Sequence, residues 1–462
     1  MKAWEMEKEL IETSKPRVLS DEEQTWDAAF DVEKNEDFKT RLLWKSEVPG
    51  SAARERVIIG AIQDVENRGM DVEAAEKLIP LGLKALEENN MVELNKITAR
   101  VFYELNNAEK NINSPYWNYT IYSSWDQFKD AANPIETIDY DIYSKGFEGK
   151  TYSGWLAQIV GGAIDTAIEG YTSKNLKEAF GDIRNYVRKP NTYNDDITYE
   201  LAFLKAFEHK GYNVTSADIA EAWVGYVPFG WSAEEVALKN IKYGIYPPES
   251  GHFNNPYYEW IGAQMRGAIC GMVSPGNPME AAHLAWIDGV VSHYNNGVIG
   301  EIFNAVLVSL SYVKSDIREI LVETIEMLPK TSEYYSVVKF ALDKCKACDN
   351  WTDAWAYCEK RYERYNWIHA YPNAAAEVVA LWYGRGDFDE TMYIISMEGQ
   401  DVDCNAAQIA SALGIISSSI DKRWTDPIGD ELNTYIREIR KIKITELAKW
   451  TVDVTRRAYK GA

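Results

Sequence analysis

The run GQDVDCNAAQIASALGIISSS, residues 399–419, decides how the rest of the chain is read. It opens on two aspartates one residue apart, Asp401 and Asp403, and continues as Ala, Ser, Gly and Ile with no period-two alternation. That pattern predicts a helix whose N-terminus carries the acidic pair. Lined with small residues, such a helix lets another backbone come close. Two like charges this near repel each other, so the pair needs either a surface turn or a cation.

Working outward, the same arrangement occurs about 200 residues earlier. YNDDITYELAFLKAF (193–207) places Asp195 and Asp196 directly before an amphipathic run. An acid there caps free backbone N–H groups and complements the helix dipole. That accounts for one aspartate better than for two, since adjacent side chains point in different directions. Helical periodicity continues through most of the chain. SADIAEAWVGYV, SAEEVALKNIKYG, DIREILVETIEMLP, YYSVVKFALDKCKACD and NAAAEVVALWYG begin near Ser or Asp or stop near Gly or Pro. VEAAEKLIPLGLKALEENN (72–90) and the following MVELNKITARVFYELNNAEK predict a helical hairpin. Strand signals are scarce and the chain reads as all-α.

The stretch NPIETIDYDIYSKGFEGKTYSG (133–154) is polar, contains glycine and shows no period. It divides a helical N-terminal extension, residues 1–146, from a compact multi-helix domain, residues 147–462. No repeat of 30–45 residues indicates a solenoid.

A formal net charge of -22 over 462 residues argues against a nucleic-acid backbone as partner and suits a site that gathers divalent cations. No apolar run approaches the ~20 residues of a membrane helix. The charged start MKAWEMEKELIETSKP lacks an apolar signal-peptide core, so a cytoplasmic location is expected. Five cysteines, an odd number, argue against a disulfide scaffold. Cys345, Cys348, Cys358 and His369 would suffice for a zinc ion, but the spacing is not that of a zinc finger. The plain alternative is two thiols one helical turn apart. The 16 Trp and 29 Tyr are mainly core material.

Four carboxylates converging from two helix ends would hold two hard divalent cations through oxygen. Five segments, in order, resemble the ADP-ribosylglycohydrolase family over roughly residues 150 to 425. GWLAQIVGGAIDTAIEGY is similar to its opening glycine-rich helix, ending here in Glu169. YNDDITYEL is similar to its Thr-Asp-Asp motif, IGAQMRGAICG to its Gly-Ala-x-Met-Arg segment and VVSHYNNGVIG to its Ser/Thr-His segment. GQDVDCNAAQIASALG is similar to its Gly-x-Asp-x-Asp-Thr motif.

The resemblance implies an all-α fold with a binuclear magnesium or manganese centre. It implies Asp195, Asp196, Asp401 and Asp403 as ligands, with Asn194 and Cys404 at the two threonine positions. A thiol suits magnesium poorly. The family's Gly-Asp is Gly161-Gly162 here, which removes a carboxylate near the site. Glu169, Asp196 and Asp401 are the expected catalytic carboxylates, the alternative for Glu169 being a surface acid near a helix end. His293 either lines the ADP-ribose pocket or is structural. Gly230, Trp231 and Ser232, just before a helix, are the other expected substrate contacts: such an N-terminus can receive a pyrophosphate, and the alternative is an ordinary Ser-capped helix start. Arg266 has two readings, a phosphate contact or a packing ion pair. His369 and Asn373 are candidates for supporting the site.

The implied activity is cleavage of the glycosidic bond of an ADP-ribosylated protein or small molecule. The alternatives are hydrolysis of another ribosyl or nucleotide-like compound and a non-catalytic ADP-ribose-binding or interaction protein.

Overall fold

The computed structural model describes residues 1–24 and 27–461. Helices make up nearly all of its regular structure, as expected. The described strands are three antiparallel pairs of two-residue segments. The molecule is organised around two antiparallel helices, Lys145–Asp165 and Val402–Ser417. A Cβ added at Gly161 would lie 2.5 Å from the Ala406 carbonyl oxygen, and one at Gly414 would lie 2.4 Å from that of Ser153. The small residues therefore bring two backbones into contact, and larger ones would force the helices apart.

The Lys145–Asp165 helix begins earlier than expected. Ser144 accepts from the Phe147 amide as its N-cap, so the second half of the aperiodic stretch is helical. Its other face takes the C-terminal helix Ile444–Gly461, where the Trp155 indole donates to Thr451 Oγ1 at 3.0 Å. The helix Asn296–Ser311 is buried along its whole length.

The N-terminal region holds the other difference. Residues 72–90 form two helices, Glu73–Glu76 and Ile79–Glu87, rather than one. Pro80 occupies the first turn of the second; it lacks an N–H and cannot extend the preceding helix. Met91–Asn106 then completes the hairpin. This region shares the main core: buried residues from Trp44 to Leu105 form one cluster with those after residue 147. A Cβ at Gly60 would lie 2.8 Å from the Trp260 ring, and Asp64 meets His369 Nε2 at 3.1 Å. No described helix is long and apolar enough to cross a membrane.

Two short pairings position the site. Tyr171–Thr172 pairs with Gly399–Gln400, tying the turn after Glu169 to the residue before Asp401. Gly399 has φ 76° and a Cβ there would lie 2.2 Å from the Tyr171 carbonyl oxygen, so this position requires glycine. Ser46–Glu47 pairs with Arg54–Glu55, forming a hairpin in the N-terminal region.

Candidate active site

The two acidic pairs meet. Asp195 and Asp196 open the helix Asp195–Lys210, and Asp401 is the N-cap of Val402–Ser417 with Asp403 in its first turn. Ligand-capable atoms of Asp401, Asp403 and Cys404 all lie within 4.8 Å of one another. Cys404 Sγ donates to Asp196 Oδ1 at 3.2 Å and so joins the two pairs. Asp196, Asp401 and Asp403 are buried, yet Asp196 Oδ2, Asp401 Oδ1 and Asp403 Oδ1 have no hydrogen-bond partner.

Buried carboxylate oxygens without donors are costly. Burial, then the charges of Asp195, Asp403 and Asp401, pushes Asp196 well above the ordinary carboxylate range. Burial, then the charge of Asp403, does the same to Asp401. Asp403 is pushed up to about 7 by burial and by Asp195. Oxygen-rich, orphaned and mutually repelling, this set fits hard divalent cations.

The two residues at threonine positions fit less well. Asn194 Oδ1 caps its helix, accepting from the Ile197 amide at 3.4 Å, while Nδ2 has no partner. Its oxygen is therefore already engaged. Burial first, then the surrounding aspartates, pushes the Cys404 thiol up, so it stays protonated and acts as a donor to Asp196. The departures at 162 and 194 are neighbours: a Cβ at Gly162 would lie 3.0 Å from Asn194 Nδ2.

A cavity of about 440 Å³ opens over these carboxylates. That volume suits a small-molecule site. Glu169 lines it from the turn after the Lys145–Asp165 helix. Desolvation, then Asp403, Asp401, Asp195 and Glu55, raises Glu169 well above the ordinary range. Gly230, Trp231 and Ser232 also line the cavity. Ser232 does not cap the next helix; it is the first residue of Ser232–Lys242, with φ 41°, and Trp231 precedes it as N-cap.

His293 lies elsewhere. It is fully buried and outside the cavity lining, with Nδ1 2.7 Å from Ser292 Oγ and Nε2 3.9 Å from Glu234 Oε1. Burial, then Arg266, holds its pKa well below the ordinary value, so the ring is neutral. Arg266 is also buried, ion-paired with Asp288, Glu234 and Glu301, and does not reach the cavity. Its packing reading is the one realised.

Asn373 supports the site as anticipated. Its Oδ1 accepts from the Asp401 amide at 3.1 Å and from Asn405 Nδ2 at 2.7 Å. His369 acts through Asn373: its carbonyl accepts from Asn373 Nδ2 at 2.8 Å. Its ring faces Asp64, so it is not available to the cysteines. Among the described residues, Asp401, Asp403 and Cys404 form the sole group of three metal-capable side chains, and the zinc alternative has no geometric basis.

Three carboxylates of this region escaped sequence reasoning. Asp165 is fully buried near Asp403, with Ser396 donating to one oxygen at 2.6 Å. An acid inside an otherwise small and apolar run was the available signal. Glu234 lines the cavity beside Gly262, where a Cβ would fall 1.8 Å from Glu234 Oε1. In sequence it looks like an ordinary first-turn acid. Glu55, from the N-terminal hairpin, had no signal at all.

Comparison with known proteins agrees with this picture. Residues 144–460 match the family model described as ADP-ribosylglycohydrolase, which places the chain among glycosyl hydrolases. It belongs to the ADP-ribosylglycohydrolase family. A solved structure titled "ADP-ribosylglycohydrolase-related protein complex" is similar at 17% identity and a TM-score of 0.48. The match covers 68% of this chain and 100% of that one. No curated protein matches the chain.

Proposed function

We propose that the chain is a metal-dependent hydrolase that cleaves the glycosidic bond of an ADP-ribosylated acceptor and releases ADP-ribose. The observation carrying this reading is the set of orphaned, buried carboxylate oxygens at the floor of the cavity. Asp195, Asp196, Asp401 and Asp403 would hold two divalent cations, Mg2+ before Mn2+. Such ions supply Lewis acidity, lowering the pKa of water and stabilising negative charge on sugar oxygens.

The chain's own residues do the rest. Asn373 fixes the backbone at Asp401, and the pairing of Tyr171–Thr172 with Gly399–Gln400 fixes Glu169 relative to it. Glu169 lines the cavity beside the acidic pairs, a placement that suits a group exchanging a proton with the departing atom. Asp196 and Asp401 present carboxylates that can take one from an incoming water. Cleavage of that bond passes through an oxocarbenium-like state.

The test is ADP-ribose release from arginine-, serine- and nucleobase-linked substrates, with and without Mg2+ or Mn2+. Release that needs metal and is lost in Asp401→Asn supports the reading and names the linkage. One observation favours a second reading. No Lys, Arg or His lines the cavity among the described residues, so no cationic side chain meets a diphosphate. A folded, metal-loaded protein that releases nothing from the panel but cleaves an unphosphorylated ribosyl compound would establish that alternative.

A further inference from the structure

The wall of the cavity facing the Glu169 turn is built by residues that precede the family-matched segment. The hairpin Ser46–Glu47/Arg54–Glu55 sits directly on that turn. A Cβ at Gly50 would lie 2.2 Å from the Thr166 carbonyl oxygen, one at Gly170 would lie 2.7 Å from Ala53 Cβ, and Tyr171 donates to the Ser51 carbonyl at 3.1 Å. The hairpin delivers Glu55, 7% exposed, to the cavity. Glu55 accepts from Ser46 Oγ at 3.0 Å and from the Trp231 indole N–H at 3.2 Å.

Among the described residues, seven carboxylates line this cavity and no side chain there is positively charged. Most are accounted for: Asp195, Asp401 and Asp403 belong to the cation cluster with Glu169 beside it, Glu234 lies 3.4 Å from Arg266 Nη1, and Glu47 is exposed at the rim. Glu55 is the buried one left with neutral donors only. A buried carboxylate with no positive partner is costly unless it takes up a proton or a ligand supplies the charge, and Glu55, unlike the buried acids of the core, faces a cavity from which a ligand can reach it. Trp231, 37% exposed and already bonded to Glu55, offers a ring face of the kind that attracts organic cations.

We propose that Glu55 is a specificity-determining residue, which with Trp231 receives a positively charged nitrogen group (guanidinium or ammonium) on the substrate. The N-terminal hairpin thereby selects the charge of the group bound at this end of the cavity. A phosphate would be repelled there. Only the assignment of this end to the acceptor rests on the hydrolase reading.

The test begins with binding alone. In the Mg2+-loaded full chain, the Trp231 indole N–H resonance, identified with Trp231→Phe, is followed while methylguanidinium is added. Urea at equal concentration is the neutral control. A saturable shift with methylguanidinium, absent with urea and lost in Glu55→Gln, is expected. No shift, an equal response to urea, or a shift that persists in Glu55→Gln overturns the proposal. Unchanged resonances of the other indoles show that the variant is folded, and Glu55→Asp serves as a second variant.

The second arm reads turnover. Glu55→Gln should lower the ratio of kcat/KM on a cationic-leaving-group substrate to that on a hydroxyl-linked one by about tenfold or more. Equal loss on both overturns the proposal. If the wild type cleaves neither, the hydrolase reading fails while the binding arm still judges Glu55.

Discussion

Two groups of buried carboxylates lie in this molecule, and they are built on opposite principles. Around Arg266, each acid has a positive partner: Asp288, Glu234 and Glu301 all lie within 4.0 Å of one guanidinium. In the acidic cluster under the cavity, Asp196, Asp401 and Asp403 have three oxygens unpaired, and among the described residues no basic side chain lines the cavity above them. Both groups are removed from solvent. Where the chain supplies the countercharge the cluster is structural; where it withholds it, the arrangement suits a cationic ligand.

Removing the internal cation tests the first half of that contrast and carries the largest effect. Arg266→Met keeps bulk but strands three acids, and a loss of about 3–5 kcal/mol in urea unfolding is expected. A loss below 1 kcal/mol would mean that the acids are neutral without Arg266, and the contrast between the groups would weaken.

Supplying a divalent cation tests the second half. Mg2+ at about 100 times its Kd should stabilise the wild type by about 2.7 kcal/mol, read by urea unfolding. Asp401→Asn should lose most of that gain, yet be no less stable than the wild type in chelator, since it removes one of several repelling charges. Equal stabilisation of both proteins would place the cation elsewhere.

How far the sequence revealed these groups depends on what each required. The acidic pairs were legible because they sit at helix starts, where a doublet exceeds what capping needs. The helix pairing was legible because only small residues permit such close backbones, as at Gly161 and Gly414. His293 misled because a histidine beside a motif looks the same whether it faces a cavity or, as here, Ser292 and Glu234. Glu55 was invisible for a different reason. Its role arises from a two-residue pairing and a hairpin seated on the Thr166–Gly170 turn, contacts across more than a hundred residues that leave no periodic trace. The early start at Lys145 was hidden by glycines that disguise a helical period, although Ser144 was available as its cap.

The smallest expected effect separates a third kind of buried acid from both groups. Glu200 has donors but no cation: Gln158 and Gln408 donate to one oxygen at 2.8 and 3.2 Å, and the other has none. Burial pushes it up to about 8, from about 4.5 in the unfolded chain. Between those values the folded protein holds a proton that the unfolded chain has released. This contribution is therefore fully present below about pH 4.5 and is lost as the pH rises through about 8. In chelator, the wild type should lose more urea stability between pH 7 and pH 8 than Glu200→Gln, by on the order of 1 kcal/mol. Glu377, held by Gln264 and Asn304 and also pushed up to about 8, adds to the slope in both proteins and cancels in the difference. An identical pH slope would show that amide donors alone keep a buried carboxylate charged, and the line between supplied and withheld countercharge would then have to be redrawn around hydrogen bonds.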